Sequence, residues 1–162
     1  MERRSKIDYY LDIAETVLKR STCIRRKFGA VIVKNDEIIA SGYNGAPRGR
    51  ANCTDLNFCT RDKLGVPKGQ RYELCRSVHA EANAIISASR NDLIGATLYL
   101  ACHDAKTGEL FGDISPCQMC RRLIINAGIE TVIARTGADT ITEFSVSDWI
   151  TQDESLDLNT GY

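Results

Sequence analysis

The sequence predicts an α/β fold in which a central mixed sheet is covered by helices. Three observations predict it. A two-stranded hairpin follows the first helix. Short apolar runs of strand type then alternate with helical segments. Strands joined through helices need crossovers, which imply parallel pairing with helices packed over the sheet. The order is helix, hairpin, helix, strand, helix, strand, helix. The 162 residues are expected to form a single domain, with a core over about 5–150 and a polar tail at 151–162. No internal repeat or low-complexity segment divides them.

Ile7, Tyr10, Leu11, Ala14, Val17 and Leu18 recur at helical spacing, which sets the first helix at residues 6–20. Phe28 to Val33 is an apolar strand. Lys34-Asn35-Asp36-Glu37 is a turn, and Ile38 to Ser41 returns as the second strand of a hairpin. Residues 44–76 hold three cysteines, two prolines and little periodicity, so a long irregular loop is expected. Loops of that length inside a domain are usually functional or held by something extra. Val78 to Arg90 carries helix formers, and Ala96 to Ala101 is a buried strand. After an irregular stretch, Pro116 suits the first turn of a helix that runs to Gly128, a C-cap residue. Thr131 to Ala134 is a strand. A last helix is expected near 140–150, with Phe144 and Trp149 on it.

Composition narrows the function. Hydrophobic residues make up 43% of the chain, and 21 basic residues balance 21 acidic ones. Zero net charge argues against a dedicated nucleic-acid binder, which shows a basic excess. No apolar run approaches the roughly 20 residues that span a bilayer. The charged N-terminus has no apolar stretch of signal-peptide type behind it, so the cytoplasm is the expected location. Seven cysteines in a reducing compartment are metal ligands or buried thiols rather than a disulfide framework.

Two motifs carry the chemistry. His79-Ala80-Glu81 and Pro116-Cys117-Gln118-Met119-Cys120 each fall at a predicted helix start. One imidazole and two thiolates make a three-ligand zinc set with one position open, which is the catalytic arrangement. Cys117 and Cys120 share one face of a helical turn, where the dipole and free amides favour thiolate. Glu81, two residues from His79, is placed to take a proton from zinc-activated water, pass it to a ring nitrogen, and protonate departing ammonia. The full H-x-E…P-C-x-x-C pattern is the signature of zinc nucleobase deaminases.

Longer blocks sharpen this. Arg20-Ser21-Thr22-Cys23, Gly29 to Val33, Gly42-Tyr43-Asn44-Gly45-Ala46-Pro47, Cys75 to Ile86 and Ile124 to Ile129 resemble the deoxycytidylate (dCMP) deaminases. The resemblance covers about residues 5–135. It implies a three-layer α/β/α cytidine-deaminase-like fold, conversion of dCMP to dUMP and ammonia, a homo-oligomer (dimer or hexamer), and regulation by dCTP and dTTP. Residue by residue, it implies zinc on His79, Cys117 and Cys120, Glu81 as proton shuttle, and Asn44 and Ala80 as substrate-binding residues. The other reading of Asn44 is an Asn-Gly turn. The substrate phosphate needs cations; Arg25, Arg26 and Lys27 form one basic group, Arg48 and Arg50 another. Cys23, Cys53, Cys59 and Cys75 are candidates for a second, structural zinc that would hold the long loop. The chain departs from the pattern between Ala101 and Pro116, where Cys102 to Ser115 form an insertion at the mouth of the site with Thr107-Gly108 as a hairpin tip. The competing readings are a tRNA adenosine deaminase, a deaminase of another small nucleobase or nucleoside, and a non-catalytic zinc-stabilised binding module.

Overall fold

The first helix, α1 (Lys6–Val17), starts at Ser5, whose hydroxyl accepts the Asp8 N–H at 3.0 Å. This computed structural model describes residues 1–157. Tyr10, Leu11 and Ala14 of α1 and Leu18 of the short 3-10 turn behind it are buried. The strands β1 (Arg26–Lys34) and β2 (Glu37–Tyr43) pair antiparallel. Asn35 and Asp36 join them with φ of 51° and 61°, a two-residue turn whose twist matches that of the strands.

Residues 44–76 contain more structure than periodicity predicts. Two one-turn helices, α2 (Cys53–Leu56) and α3 (Thr60–Lys63), precede a 3-10 turn at Tyr72–Leu74. Polar caps hold them: the Asp55 carboxylate accepts the Asn52 N–H at 2.9 Å. The following helix is also shorter than expected. α4 (Ala80–Ile86) stops at Ser87, and Ser89 caps a separate turn, α5 (Arg90–Leu93), by accepting the Asp92 N–H. Serine competes for backbone hydrogen bonds and divides the run.

β3 (Thr97–Asp104) extends past Ala101 into the insertion. The chain turns at Thr107-Gly108, where Gly108 has φ 72°, and Phe111 N–H donates back to the Cys102 carbonyl at 2.9 Å. The expected hairpin tip is therefore present. α6 (Gln118–Ala127) ends at Gly128 in the left-handed conformation expected of its cap. Pro116 lies just outside this helix rather than in its first turn, because Cys117 takes the N-cap. β4 (Thr131–Arg135) follows. The expected final helix is half strand: β5 (Ile141–Ser145) carries Phe144, and α7 (Val146–Thr151) carries Trp149. Val132 pairs with Phe144 across β4 and β5, so pairing with a sheet edge overrides helical spacing. In the polar tail, Glu154–Leu156 form a 3-10 turn, and Arg121 reaches Glu154 at 3.2 Å. The rest of that tail, 158–162, lies outside the described residues.

The sheet order is β2-β1-β3-β4-β5, and β3 with β4 is the parallel pair. α6 supplies the crossover between them. Alternation along the strands divides the core in two. Ala30, Ile32, Leu98, Leu100 and Val132 face α4 and α6, whereas Val31, Val33, Tyr99, Ala101 and Ile133 face α1. The result is three layers, α/β/α. Two glycines let helices approach closely. A Cβ on Gly29 would stand 2.0 Å from the Ala14 carbonyl oxygen of α1, and one on Gly42 would stand 2.4 Å from the Ala84 nitrogen of α4. On the α1 face, Arg135 is 5% exposed and donates to Asp12 at 2.8 Å and Glu15 at 2.6 Å, with Asp8 at 3.2 Å. No helix among the described residues is long and apolar enough to cross a membrane.

Candidate metal centre and catalytic site

Two helix N-termini converge beneath one cavity. His79 is the N-cap of α4 and Cys117 the N-cap of α6, with Cys120 three residues on. Nδ1 of His79 lies 3.5 Å from Cys117 Sγ and 3.4 Å from Cys120 Sγ. Tetrahedral zinc with Zn–S of about 2.3 Å and Zn–N of about 2.0 Å needs a nitrogen–sulfur separation of about 3.5 Å. The trio fits a zinc ion. Among the described residues it is the one set of three or more metal-ligating side chains whose donor atoms all lie within 4.8 Å of one another.

The protonation of the trio suits a cation. Burial opposes charge on His79, but the Cys117 and Cys75 sulfurs and the Glu81 carboxylate outweigh it and raise the imidazole to about 10. The hydrogen bond from the Cys120 thiol pulls Cys117 well below the usual thiol range, and the imidazole adds to this. The same bond leaves the proton on Cys120. A metal ion replaces such shared protons. Glu81 is the second residue of α4 and only 5% exposed. Burial pushes its carboxyl up, with His79 partly opposing. A buried carboxyl of this kind gives and takes protons closer to neutral pH than an ordinary one.

The cavity has a volume of about 350 Å3. Asn44 and Ala80 both line it, as do His79, Glu81 and Cys117. Asn44 is buried and forms no local turn. Its Oδ1 accepts from the Ser21 hydroxyl at 2.6 Å and the Phe28 N–H at 2.8 Å, and its Nδ2 donates to the Arg26 carbonyl at 2.8 Å. The turn reading is thereby replaced by a side chain that fixes the cavity wall. Of the two basic groups, Arg25 and Arg26 line the cavity, whereas Arg48 and Arg50 are exposed away from it. Arg26 is paired with Asp104 at 2.8 Å, and its guanidinium stands 3.8 Å from the centre of the Phe111 ring. The insertion does reshape the wall: Phe111, Asp113, Ile114 and Ser115 all face the cavity.

Sequence reasoning missed Arg61, Lys68, Tyr72 and Phe111 as cavity residues. They sit in stretches without periodicity, and no spacing signal marks them. All seven cysteines are free thiols. Cys23, Cys59 and Cys75 also line the cavity, and Cys53 is buried beside them. Cys75 Sγ accepts the Ser77 N–H at 3.4 Å. Burial, and then the proximity of Cys23, Cys75 and Cys59, raises the Cys53 thiol, so the four are neighbours. They do not converge as the His79 trio does.

The family model for the cytidine and deoxycytidylate deaminase zinc-binding region matches residues 4–136. A deoxycytidylate deaminase of Mycobacterium phage D29 is 43% identical over 138 residues, covering 82% of this chain and 96% of the phage protein. A deoxycytidylate deaminase of Schizosaccharomyces pombe is 34% identical over 134 residues, and the match spans 38% of that longer protein. Among solved structures, the apo dCMP deaminase of cyanophage S-TIM5 superposes with a TM-score of 0.60 at 28% identity, covering 93% of this chain and 94% of that one. Fold, metal-ligand geometry and these similarities agree, and the chain belongs to the zinc-binding cytidine and deoxycytidylate deaminase family.

Proposed function

We propose that this chain converts dCMP and water to dUMP and ammonia. The observation that carries the reading is a buried carboxyl, Glu81, beside a zinc-compatible His79-Cys117-Cys120 set on the floor of a nucleotide-sized cavity. The identity to the phage D29 enzyme supports dCMP, and the S-TIM5 enzyme has been solved in complex with dCMP and dUMP.

In this reading, His79, Cys117 and Cys120 would hold zinc, which would supply Lewis acidity at the reacting water. Glu81 collects a proton from the attacking water and delivers it to ring N3 as the new bond forms at C4. It then collects the remaining hydroxyl proton and delivers it to the exocyclic amine, so the C4–N4 bond breaks with ammonia leaving. Each proton given is one just taken, and the carboxyl ends as it began. Asn44 and Ala80 form the wall against which the nucleoside lies. Arg25, Arg26 and Lys68 on the rim supply positive charge for the phosphate.

A second zinc on Cys23, Cys53, Cys59 and Cys75 is supported by their proximity, and a metal-to-chain ratio near two, lost on alkylation, is its test. A chain with seven cysteines, two of them in the metal trio, suits a reducing compartment such as the cytoplasm. One continuous five-stranded sheet supports a single domain. Assembly into a homo-oligomer is supported by Ile86 at 75% and Leu123 at 45% exposure, and scattering mass measurement with and without dCTP and dTTP tests both assembly and nucleotide regulation.

The decisive experiment is ammonia release from dCMP, CMP, deoxycytidine, AMP, guanine and a tRNA anticodon stem-loop, with Glu81→Gln as control. Turnover of dCMP that vanishes in the variant is the expected result. Turnover of the RNA alone would replace this reading with the tRNA one, and silence on every substrate with zinc bound would sink it.

A further inference from the structure

We propose that Tyr72 is a positioning residue for His79 and that Arg61 holds Tyr72 in place; this rests on the reading of His79 as a zinc ligand. A histidine ring rotates about χ2 over a broad range, so a metal-binding imidazole needs a partner that fixes its plane. That partner is usually a carboxylate or carbonyl oxygen on the second ring nitrogen. Among the described residues, no oxygen hydrogen-bonds to the His79 ring; its polar partners are the sulfurs of Cys117, Cys120 and Cys75. The Tyr72 ring meets the imidazole instead, with centroids 5.2 Å apart and planes at 83°. That edge-to-face arrangement is a favoured aromatic geometry, and it limits rotation of the smaller ring.

Tyr72 has its own anchor. The Arg61 guanidinium carbon stands 4.4 Å from the centre of the Tyr72 ring. Arg61 is 6% exposed. Its Nε donates to the Gln70 carbonyl at 3.2 Å, and one Nη donates to Gln70 at 2.7 Å and Pro67 at 3.2 Å. Each of these hydrogen bonds ends on a backbone carbonyl of the segment that leads into Tyr72. One buried cation therefore ties the 61–70 stretch into a closed turn and presents a flat face to the phenol ring, which cation–π attraction holds there. The aperiodic loop is a built support for the metal centre: Arg61 grips the backbone, Tyr72 rests on Arg61, and His79 rests on Tyr72.

The experiment compares zinc transfer from the holoenzyme to a chromophoric chelator in Tyr72→Ala, Tyr72→Phe, Arg61→Met and the double variant Arg61→Met/Tyr72→Ala. The visible spectrum of each cobalt-substituted protein is recorded alongside. Loss of an outer-sphere partner costs about ten- to a hundredfold in metal affinity. Tyr72→Ala should accordingly release zinc about tenfold faster and alter the cobalt bands, and Tyr72→Phe should restore both. Arg61→Met should have a smaller effect that disappears in the Tyr72→Ala background. Tyr72→Leu, which keeps bulk without a ring, serves if Tyr72→Ala is not folded, and the same acceleration is expected of it. Unchanged release and an unchanged cobalt spectrum in folded Tyr72→Ala or Tyr72→Leu would overturn the proposal. Additive effects in the double variant would overturn the part assigned to Arg61. The comparison needs no substrate, so a wild-type enzyme silent on dCMP would count against the proposed function and leave this test standing.

Discussion

The two faces of the sheet share the same strands and differ in how they treat charge. On the α1 face, the buried Arg135 is met by Asp12, Glu15 and Asp8, and Glu15 also meets His103 Nε2 at 2.8 Å. Every buried charge there has partners, and the outcome is a helix locked to β3 and β4. On the opposite face, Glu81 is buried with its carboxyl pushed up by desolvation, beside thiols and an imidazole that share protons. Compensation on the first face contributes to stability. Its incompleteness on the second leaves groups ready to bind a cation and move protons. The same fold thus separates a stabilising layer from a reactive one.

The largest expected effect falls on the reactive face alone. Glu81→Gln should lower kcat by about 10³-fold, within the 10²–10⁴ range of general acid–base catalysis, while zinc content measured by atomic absorption stays at the wild-type value. The matching change on the other face is Arg135→Met, which removes the guanidinium that three carboxylates share. Because those partners are partly exposed, the expected loss is about 2–3 kcal/mol in urea denaturation, with kcat of the folded fraction unchanged. Equal loss of activity per folded molecule in both variants would break the division between the faces.

pH sharpens the contrast because the two faces carry opposite signs. The Arg4 guanidinium, with Arg135 helping against burial, holds the Asp12 carboxyl below its ordinary 3.8. Its contribution is present above pH 3.8 and is lost as pH falls through the lowered value. Glu81 is raised above 4.5, so its contribution is greatest below pH 4.5 and is lost as pH rises through the raised value. In chelator, Asp12→Asn should destabilise at pH 7 and lose that effect as pH falls through the lowered Asp12 value. Glu81→Gln should gain on the wild type steadily from pH 4.5 upward, as followed by thermal denaturation midpoints.

Each face also has one glycine that admits its helix. Gly29→Ala and Gly42→Ala should each cost about 1–3 kcal/mol, because a Cβ at either position meets backbone that must shift. Only Gly42→Ala displaces α4, so only that variant should lose kcat as well. The smallest effect is expected of Arg48→Ala and Arg50→Ala, which lie off the cavity: stability within about 0.5 kcal/mol and an unchanged KM for dCMP, whereas Lys68→Ala should raise it.

The metal trio was legible in the sequence because a few residue types at fixed spacing, each at a helix start, admit little else. The hairpin, α1 and the β3-α6-β4 crossover were legible through their periodicity. β5 was not: Ile141, Thr142 and Glu143 are exposed on an edge strand, so burial leaves no alternating pattern to read. Nor were α2, α3 and the Arg61–Tyr72 support, because polar caps and backbone carbonyls hold them rather than an apolar face. Phe111 was hidden in the insertion. Asn44 drew notice by motif, but its three hydrogen bonds are visible only once β1 and β2 are assembled around it.

The parallel β3–β4 pair has a consequence for synthesis. His79 precedes Cys117 by 38 residues, and both thiols ride on the helix that connects these strands. A nascent chain that has emerged only through β3 presents an imidazole without its sulfurs. The full donor set exists only once Cys120, beyond β3, has been added to the chain. A chain that stalls between β3 and Cys117 therefore lacks two of the three donors of this centre.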